Sequence, residues 1–597
     1  MLVLAGFLAL SAPLTPLRSA PQTFACQAEK IFQGSSTSAH QGWDLDGRGN
    51  WDGLGADNLL LGGASKWEGG GVPNNSSNFV ALFSHVPLEP CDDTPLLNIV
   101  SRSEEPGERF GFSVAFVGDL DGDGKDDFVA GAPRGQRSPQ TGFYLERGRA
   151  YLFLSSDDRF ASAPPTSSVD ASMIIEMPGN LFFDTTGELL TANECLPSGL
   201  PGPEVLCTTG DAPTDGVRFG YSVCRAGQFN PGQDDVPDFA VSAPGGTNRP
   251  GAALFPGRVY VFSGLSVRSI FQHPAYDPNV PVVLGQPVEL GSEQFDLAYW
   301  TYQGLECADR FGHNIAYGGH VLDPAPPAGT PNDCILIGAP QFLNGGGGSS
   351  GDEHVPYGPG YVRIISINSD EYVFGENCGD EFGYSVDGFL DLTGDSRHEI
   401  LVGAPRYDTP TMSGSLENAG KAYVFDMSVG SMPHPLETHE GDQAEGEFGA
   451  TVASVGVVSL LDDVEDYAIG APRYSTLETT DVCSNPQTGC LLLPGSIPLG
   501  DAHGGGMSAG RVYLYSRTAP SRPSTNVHIY DGENERDGAG WAICRVGNLI
   551  NETIVSPPFF GSSTSFPFDR EDLFFSAPRF GVTGVADEYG RAYLFRY

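Results

Sequence analysis

Positive charge is what this chain most lacks. Lys and Arg number 32 against 75 Asp and Glu, a net charge of −43 over 597 residues. Nucleic acid and anionic membranes are bound through cationic surfaces, so neither is expected as a partner. The same balance favours solubility and cation binding. Long apolar runs are also scarce. The stretch from Met1 to Ala12 lacks a basic n-region but otherwise reads as a secretory leader, so we expect residues 1–20 to be a signal peptide, with cleavage after Ala20 or Ala25. Cys26 follows a poor lipidation box, and no other stretch is long and apolar enough to span a bilayer.

Catalytic signatures are missing as well. The 11 His residues include no zinc-protease motif and no clear triad partner. Gly347-Gly348-Ser349-Ser350-Gly351 has nucleophile-elbow spacing, but it sits in a glycine run without a strand–turn–helix frame, and His503-Gly504-Gly505-Gly506 is a similar coincidence. None of the 11 Cys spacings resembles a zinc site. Cys195 and Cys207 flank one Pro/Gly-rich insert and Cys483 and Cys490 another, which predicts two local disulfides in an exported protein. Cys224 and Cys544 share a repeat position inside apolar strands and are expected to be buried and free.

What the chain has in abundance is one repeated phrase. Arg109-Phe110-Gly111 leads through the acidic run Asp119 to Asp127 into Gly131-Ala132-Pro133. The skeleton returns at Phe219-Gly220 with Ser242-Ala243-Pro244, Phe311-Gly312 with Gly338-Ala339-Pro340, Phe382-Gly383 with Gly403-Ala404-Pro405, and Phe448-Gly449 with Gly470-Ala471-Pro472. A last copy is altered to Gly540-Trp541 with Ser576-Ala577-Pro578, and a first is eroded to Gly42-Trp43 with Gly62-Gly63-Ala64. Each unit divides into short β-type runs: 110–117, 127–133, 148–153 and a variable fourth such as 97–100. These runs are almost continuously apolar, as in sheets covered on both faces. A ring of four-stranded antiparallel sheets meets that condition. The spacing predicts an all-β, seven-bladed β-propeller over residues 21–597, closed by an N-terminal strand near 23–32 that completes the last blade.

Phe-Gly followed by Gly-Ala-Pro, with acidic loops between, resembles the FG-GAP repeat of integrin α-subunit propellers over nearly all of the chain after the leader. The resemblance implies a seven-bladed propeller with calcium in some inter-strand loops. Because the sequence ends with the propeller, we expect no leg domains or transmembrane helix, and integrin signalling is not implied. FG-GAP repeats also occur in secreted bacterial proteins and beside phospholipase D chemistry.

The loop Asp119 to Asp127 places side-chain oxygens at Asp119, Asp121, Asp123 and Asp127, with the Lys125 carbonyl at the seventh position. Four converging carboxylates need a cation, and an all-oxygen set suits calcium better than magnesium. Asp391, Thr393, Asp395, the Arg397 carbonyl and Glu399 repeat the register and predict a second site. Weaker candidates are Asn230, Asp234 and Asp238, and Asp462 with Asp466. Asn50, Asp52 and Asn58 are interrupted by Leu54, and Cys334 replaces the last ligand in the fourth repeat.

Most long insertions fall in the connections 135–147, 176–216, 341–359, 406–419 and 474–509, on the face opposite the acidic loops. At the entrance to that connection stand Arg134, Arg406-Tyr407, Arg473-Tyr474 and Arg579-Phe580, a rim suited to an acidic peptide or a glycan, or to neutralising carboxylates of neighbouring blades. The reading that follows is a secreted or cell-surface, monomeric, calcium-binding propeller serving as a binding or adhesion module for a protein or glycan. The alternative is a propeller enzyme acting on glycans or phosphodiesters.

Overall fold

Each repeat folds as its turn chemistry dictates in the computed structural model. It describes residues 22–23, 30–33, 41–54, 57–64, 78–84, 95–102, 105, 107–136, 146–178, 189–190, 205–206, 216–229, 235–245, 256–305, 309–322, 333–344, 354–356, 358–412, 414–428, 434–458, 464–475, 509–517, 522–532, 537–546, 572–578 and 590–595. The protein is nearly all-β, with two short α-helices, Asp158–Ser162 and Gly264–Phe271, among the described residues. The helix-free sheets are those of a β-propeller.

We letter the sheets in chain order. Sheet A holds Gln41–Gly49, Asn58–Gly63, Phe79–Phe83 and Leu97–Val100, and sheet B holds Ser113–Gly118, Asp127–Ala132, Arg149–Phe153 and Met173–Glu176. Sheet C holds Val223–Gly227, Asp238–Ala243, Arg258–Phe262 and Tyr299–Gln303, and sheet D holds Ile315–Gly319, Cys334–Ala339, Tyr361–Ile365 and Asp370–Phe374. Sheet E holds Ser385–Leu390, Glu399–Ala404, Lys421–Phe425 and Pro435–Glu440, and sheet F holds Thr451–Gly456, Asp466–Ala471, Arg511–Ser516 and Thr525–Asp531. Sheet G joins Ile543–Val546, Asp572–Ala577 and Arg591–Phe595 to the N-terminal strand Lys30–Gln33, which lies antiparallel to Arg591–Phe595. Sheets A and G also touch through a parallel bridge, Gly47 to Val546.

Two short strands extend this plan in parallel register: Gln22–Thr23 against Tyr530–Asp531 of sheet F, and Val282–Val283 against Ile175–Glu176 of sheet B. Neither was anticipated from the sequence. The first strand of sheet B starts at Ser113 and not at Phe110 as expected, because Gly111 turns the chain at φ +81° before the ladder begins.

The repeated phrase has a steric cause. Phe110, Phe219, Phe382 and Phe448 of Phe-Gly are buried edge-on against the third-strand Tyr, as in Phe110 on Tyr151 at 5.3 Å and Phe382 on Tyr423 at 5.2 Å, while Phe311 stacks on Tyr361. The following Gly takes φ of +81° to +87°, a region L side chains avoid. Its N–H reaches the first residue of Gly-Ala-Pro in its own sheet, as in Gly383 N to Gly403 O at 3.0 Å. Its carbonyl meets the same residue of the preceding sheet: a Cβ on Gly403 would lie 1.8 Å from Gly449 O, and one on Gly131 would lie 2.0 Å from Gly220 O. Backbone therefore packs on backbone where sheets meet.

First strands are edge strands, and their outward N–H groups need acceptors. Short polar side chains of the preceding sheet supply them. Val114 N donates to Asp44 Oδ2 (2.8 Å), Phe116 N to Asp46 Oδ2 (2.8 Å), Ile315 N to Ser222 Oγ (3.2 Å), Val386 N to Asn314 Oδ1 (2.8 Å) and Ser454 N to Asp387 Oδ2 (2.7 Å). Apolar clusters fill the space between sheets. Leu60, Val80 and Leu82 of sheet A pack with Phe116, Phe128 and Phe153 of sheet B. Leu59 and Leu61 of sheet A pack with Val546, Phe574 and Leu594 of sheet G. Cys224 and Cys544 are buried and free, as expected, and Cys334 is too. Cys378 is disulfide-bonded, which the sequence did not foretell.

Candidate metal loops and the axial cavity

The second strand of each sheet opens on a polar residue that its neighbours would lead one to expect apolar. These are Asn58, Asp127, Asp238, Glu399, Asp466 and Asp572, with Cys334 as the exception in sheet D, all 5% exposed or less. In sheet B the loop ahead of this position winds tightly, with Gly122 and Gly124 at φ +90° and +87°. Asp119 accepts from Gly122 N (2.5 Å) and Gly124 N (2.9 Å), which turns its carboxylate inward. Asp127 accepts from Leu120 N (2.8 Å) and Ser155 N (2.7 Å), and Asp121 from Ser156 Oγ (2.7 Å).

Carboxylate oxygens of Asp119, Asp121 and Asp127 lie within 4.8 Å of one another. Burial pushes the Asp127 carboxyl well above the usual range, and the charges of Asp121 and Asp119 add to the effect. A cation would remove that penalty, and a set of carboxylate oxygens with no nitrogen or sulfur donor suits a hard ion such as calcium. Asp123 instead accepts from Lys125 N (2.9 Å) and faces Lys125 Nζ at 3.8 Å.

The second loop repeats backbone bonds of the first. Gly394 N donates to Asp391 Oδ1 (2.6 Å), Leu392 N to Glu399 Oε2 (2.6 Å) and Arg397 N to Asp395 Oδ1 (2.9 Å), matching the partners of Asp119, Asp127 and Asp123. Thr393 Oγ1 donates to Glu399 Oε1 at 2.9 Å. Burial raises the Glu399 carboxyl to about 7. In other sheets the loop's last residue makes similar bonds: Gly264 N donates to Asp238 Oδ1 (3.1 Å), Val458 N to Asp466 Oδ2 (2.9 Å) and Asn58 Nδ2 to Asp52 Oδ2 (3.0 Å), while Leu54 N donates to Asp52 Oδ1. Asn230, Asp234 and Asp462 lie outside the described residues, as do Cys195, Cys207, Cys483, Cys490, Arg579, Phe580 and residues 1–20.

One partner of the Asp119 loop was invisible in the sequence. The helix Gly264–Phe271, capped by Ser263 and held by buried Val267 and Ile270, projects from sheet C onto the loop of sheet B. Arg268 Nε donates to Leu120 O (2.6 Å) and Gln272 Nε2 to Asp121 O (3.0 Å).

On the opposite face the expected rim residues are engaged with neighbours. Arg406 stands 3.5 Å from both Glu381 and Glu447, and Arg473 3.1 Å from Glu447. Lys421 lies over the buried Tyr407 ring and Arg511 over Tyr474. Arg134 is 3.7 Å from Glu146. The first strands line a cavity of about 380 Å³. The residue after each Phe-Gly glycine forms its collar. Trp541, Trp43, Phe112, Tyr221, His313 and Tyr384 touch in succession, with ring centroids 4.5 to 5.6 Å apart. The aromatic residue one place after the repeat glycine was a readable signal, and sequence reasoning passed over it.

These features point to a class, proteins with FG-GAP repeats: the FG-GAP repeat model matches residues 110–153 and 382–425, so the chain carries such repeats. Within that class the chain is similar to integrin α subunits. It is 36% identical to human integrin alpha-IIb over 265 residues, which are 42% of this chain and 20% of that protein. It is 36% identical to Xenopus laevis integrin alpha-5 over 167 residues, 27% of this chain and 14% of that protein. The chain thus spans a fifth or less of the length of these relatives. Among solved structures, Chaetomium thermophilum Sqt1 aligns over 96% of this chain and 98% of its own, at 10% identity and a TM-score of 0.36, a likeness that carries no argument. No helix among the described residues is long and apolar enough to cross a membrane.

Proposed function

We propose that this chain is an exported, calcium-stabilised β-propeller of seven four-stranded blades, working at the cell surface or outside the cell as a monomeric binding or adhesion module for a protein or glycan. The observation that carries the calcium reading is the convergence of Asp119, Asp121 and Asp127 within 4.8 Å of one another, in a loop whose backbone bonds recur at Asp391–Glu399 and which, like it, ends on a buried carboxyl that is costly to charge. Ring closure is supported by the first strands, which neighbour one another from sheet A to sheet G and back to A, and by Lys30–Gln33 completing sheet G. The binding role is supported by similarity to integrin α subunits. Carboxylates in the axial cavity accept strand N–H groups, which favours an architectural role for them over an enzymatic one.

Calorimetric calcium titration of the calcium-free protein tests the reading, with thermal melts at each step. Saturable binding, a raised melting temperature and loss of one site in Asp119→Ala/Asp121→Ala support it. Absence of both heat and thermal shift refutes it, because a ligand bound only by the folded state must stabilise that state. Screens of glycans and acidic proteins belong in the calcium-loaded form.

A further inference from the structure

The third strands of sheets B, C, E and F open alike, as Gly148-Arg149-Ala150-Tyr151, Gly257-Arg258-Val259-Tyr260, Gly420-Lys421-Ala422-Tyr423 and Gly510-Arg511-Val512-Tyr513. In each, the cation lies opposite a polar residue of the outer strand and pairs with it. Arg149 pairs with Glu176, Arg258 Nη2 with Gln303 Oε1 (3.0 Å), Lys421 Nζ with Glu440 Oε1 (3.6 Å) and Arg511 with Asp531. Sheet D departs from this plan. Its third strand opens Gly360-Tyr361-Val362-Arg363, so tyrosine and arginine have changed places. Tyr361 lies opposite Phe374, and Arg363 opposite Tyr372. A cation facing a polar residue has become a ring facing a ring.

The exchange leaves an aromatic side chain in water. Phe374 is 58% exposed, the one exposed Phe, Tyr or Trp among the described residues. Packing of the repeat does not demand it, since the other four sheets place Glu176, Gln303, Glu440 and Asp531 at that register. The ring is nonetheless held in a fixed ladder. Its plane lies 13° from that of Tyr372, with centroids 6.1 Å apart, and the Tyr361 ring is 5.9 Å away. Tyr361 is itself anchored, its hydroxyl donating to Asp309 Oδ2 at 2.7 Å.

Planar polar groups flank the ladder. Arg363 donates from Nε to Asp370 Oδ1 (2.9 Å) and from Nη2 to Asp370 Oδ2 (2.7 Å), and from Nη1 to Gln303 O of sheet C (3.0 Å). Its guanidinium lies over Tyr372 at 5.3 Å and over Tyr302 of sheet C at 5.5 Å. The Asp370 side chain stays 48% exposed, and a carboxylate oxygen that accepts one bond can accept another. Parallel rings beside a hydrogen-bonding edge match a sugar. A pyranose has an apolar C–H face that stacks on an aromatic ring, and rim hydroxyls that pair with carboxylate and guanidinium groups. Charge narrows the class. Arg363 is paired with Asp370, and Lys421 with Glu376 and Glu440, while Asp370 and Glu371 face solvent, so an acidic sugar is repelled. The same two carboxylates on an outer strand oppose pairing with a further strand.

We propose that Phe374 and Tyr372, with Tyr302, Arg363 and Asp370, form a platform for a neutral glycan at the outer edge of sheets C and D. The proposal rests on the reading of the chain as a binding module and takes its glycan branch, at residues apart from the calcium loops and the arginine rim.

The test titrates cellohexaose, laminarihexaose, mannohexaose and chitohexaose into the full chain by calorimetry, with calcium and again without it. Hexagalacturonate is the acidic-sugar control and octalysine the basic-peptide control. At least one neutral hexasaccharide should bind saturably, and hexagalacturonate should not. Phe374→Ala removes a side chain that lies mostly in water, so it should melt as the wild type does. It should weaken sugar binding about tenfold, the loss of one stacked ring. Phe374→Trp, which enlarges the ring, should bind at least as tightly as the wild type. The proposal is overturned if no neutral hexasaccharide binds, if Phe374→Ala binds sugar as tightly as the wild type, or if octalysine binds in place of the sugars and loses that binding in Phe374→Ala. Sugar binding that survives Phe374→Ala strikes the platform alone and leaves the binding-module reading standing.

Discussion

Replacing Gly403 by Ala tests the steric account of the repeat directly. The added methyl would sit 1.8 Å from Gly449 O and 2.9 Å from Gly449 C. Ordinary van der Waals contact begins near 3.4 Å, so sheets E and F would have to part by more than 1 Å at that point, as an order-of-magnitude figure. Nothing nearby can yield by changing rotamer. Gly449 is itself fixed at φ +87°, with its N–H bonded to Gly470 O at 3.0 Å. Overpacking of this kind costs about 3 kcal/mol, the upper end of the usual range. Gly124→Ala is the matched comparison. A methyl added at Gly124 would meet nothing within 4 Å, but the residue holds φ +87°, so it carries only the left-handed penalty of about 1 kcal/mol. Denaturant unfolding of both variants, with calcium held constant, gives the two differences. If Gly403→Ala is no more destabilised than Gly124→Ala, backbone contact across the seam is not the reason for the repeat glycine.

Further outcomes follow from other seams. Burial raises the Asp44 carboxyl from 3.8 to about 7 against the opposing pull of the Val114 and Leu45 N–H groups. The folded state therefore holds that proton more tightly, so this group's contribution is complete below about pH 4 and is lost as pH rises through 7. Asp44→Asn should flatten that part of the melting-temperature profile between pH 5 and 8. Asp44→Ala leaves Val114 N without its acceptor and should cost about 1–3 kcal/mol by denaturant unfolding. Arg268→Ala removes the donor to Leu120 O and Asp119 O and should cost about 1 kcal/mol, with faster hydrogen exchange in the Asp119 loop as the readout. Deleting residues through Gln33 exposes the edge of Arg591–Phe595 and should lower the melting temperature and promote self-association, measured by melts and light scattering.

The strands were legible because their signals are local. Apolar six-residue runs such as Asp127–Ala132 sit between turn residues, and the phrase that frames them recurs. The acidic loops were legible for the same reason, since Asp119 to Asp127 closes on itself within nine positions. Even there the division of labour was not: Asp119, Asp121 and Asp127 converge while Asp123 turns to Lys125. Rim positions such as Arg406 and Arg473 could be located from the sequence, but the pairing of Arg406 with Glu447 across the seam could not.

By itself, then, the sequence determined the repeat, its strands, its turns and the oxygen-rich loops, because each depends on interactions among residues a few positions apart. Only the tertiary structure decided which side chains meet across seams. Asp44 caps a strand 70 residues away, Arg268 grips a loop 148 residues away, and the collar aromatics come from separate repeats. Those contacts arise from the packing of one sheet on the next. Distance along the chain carries no record of them.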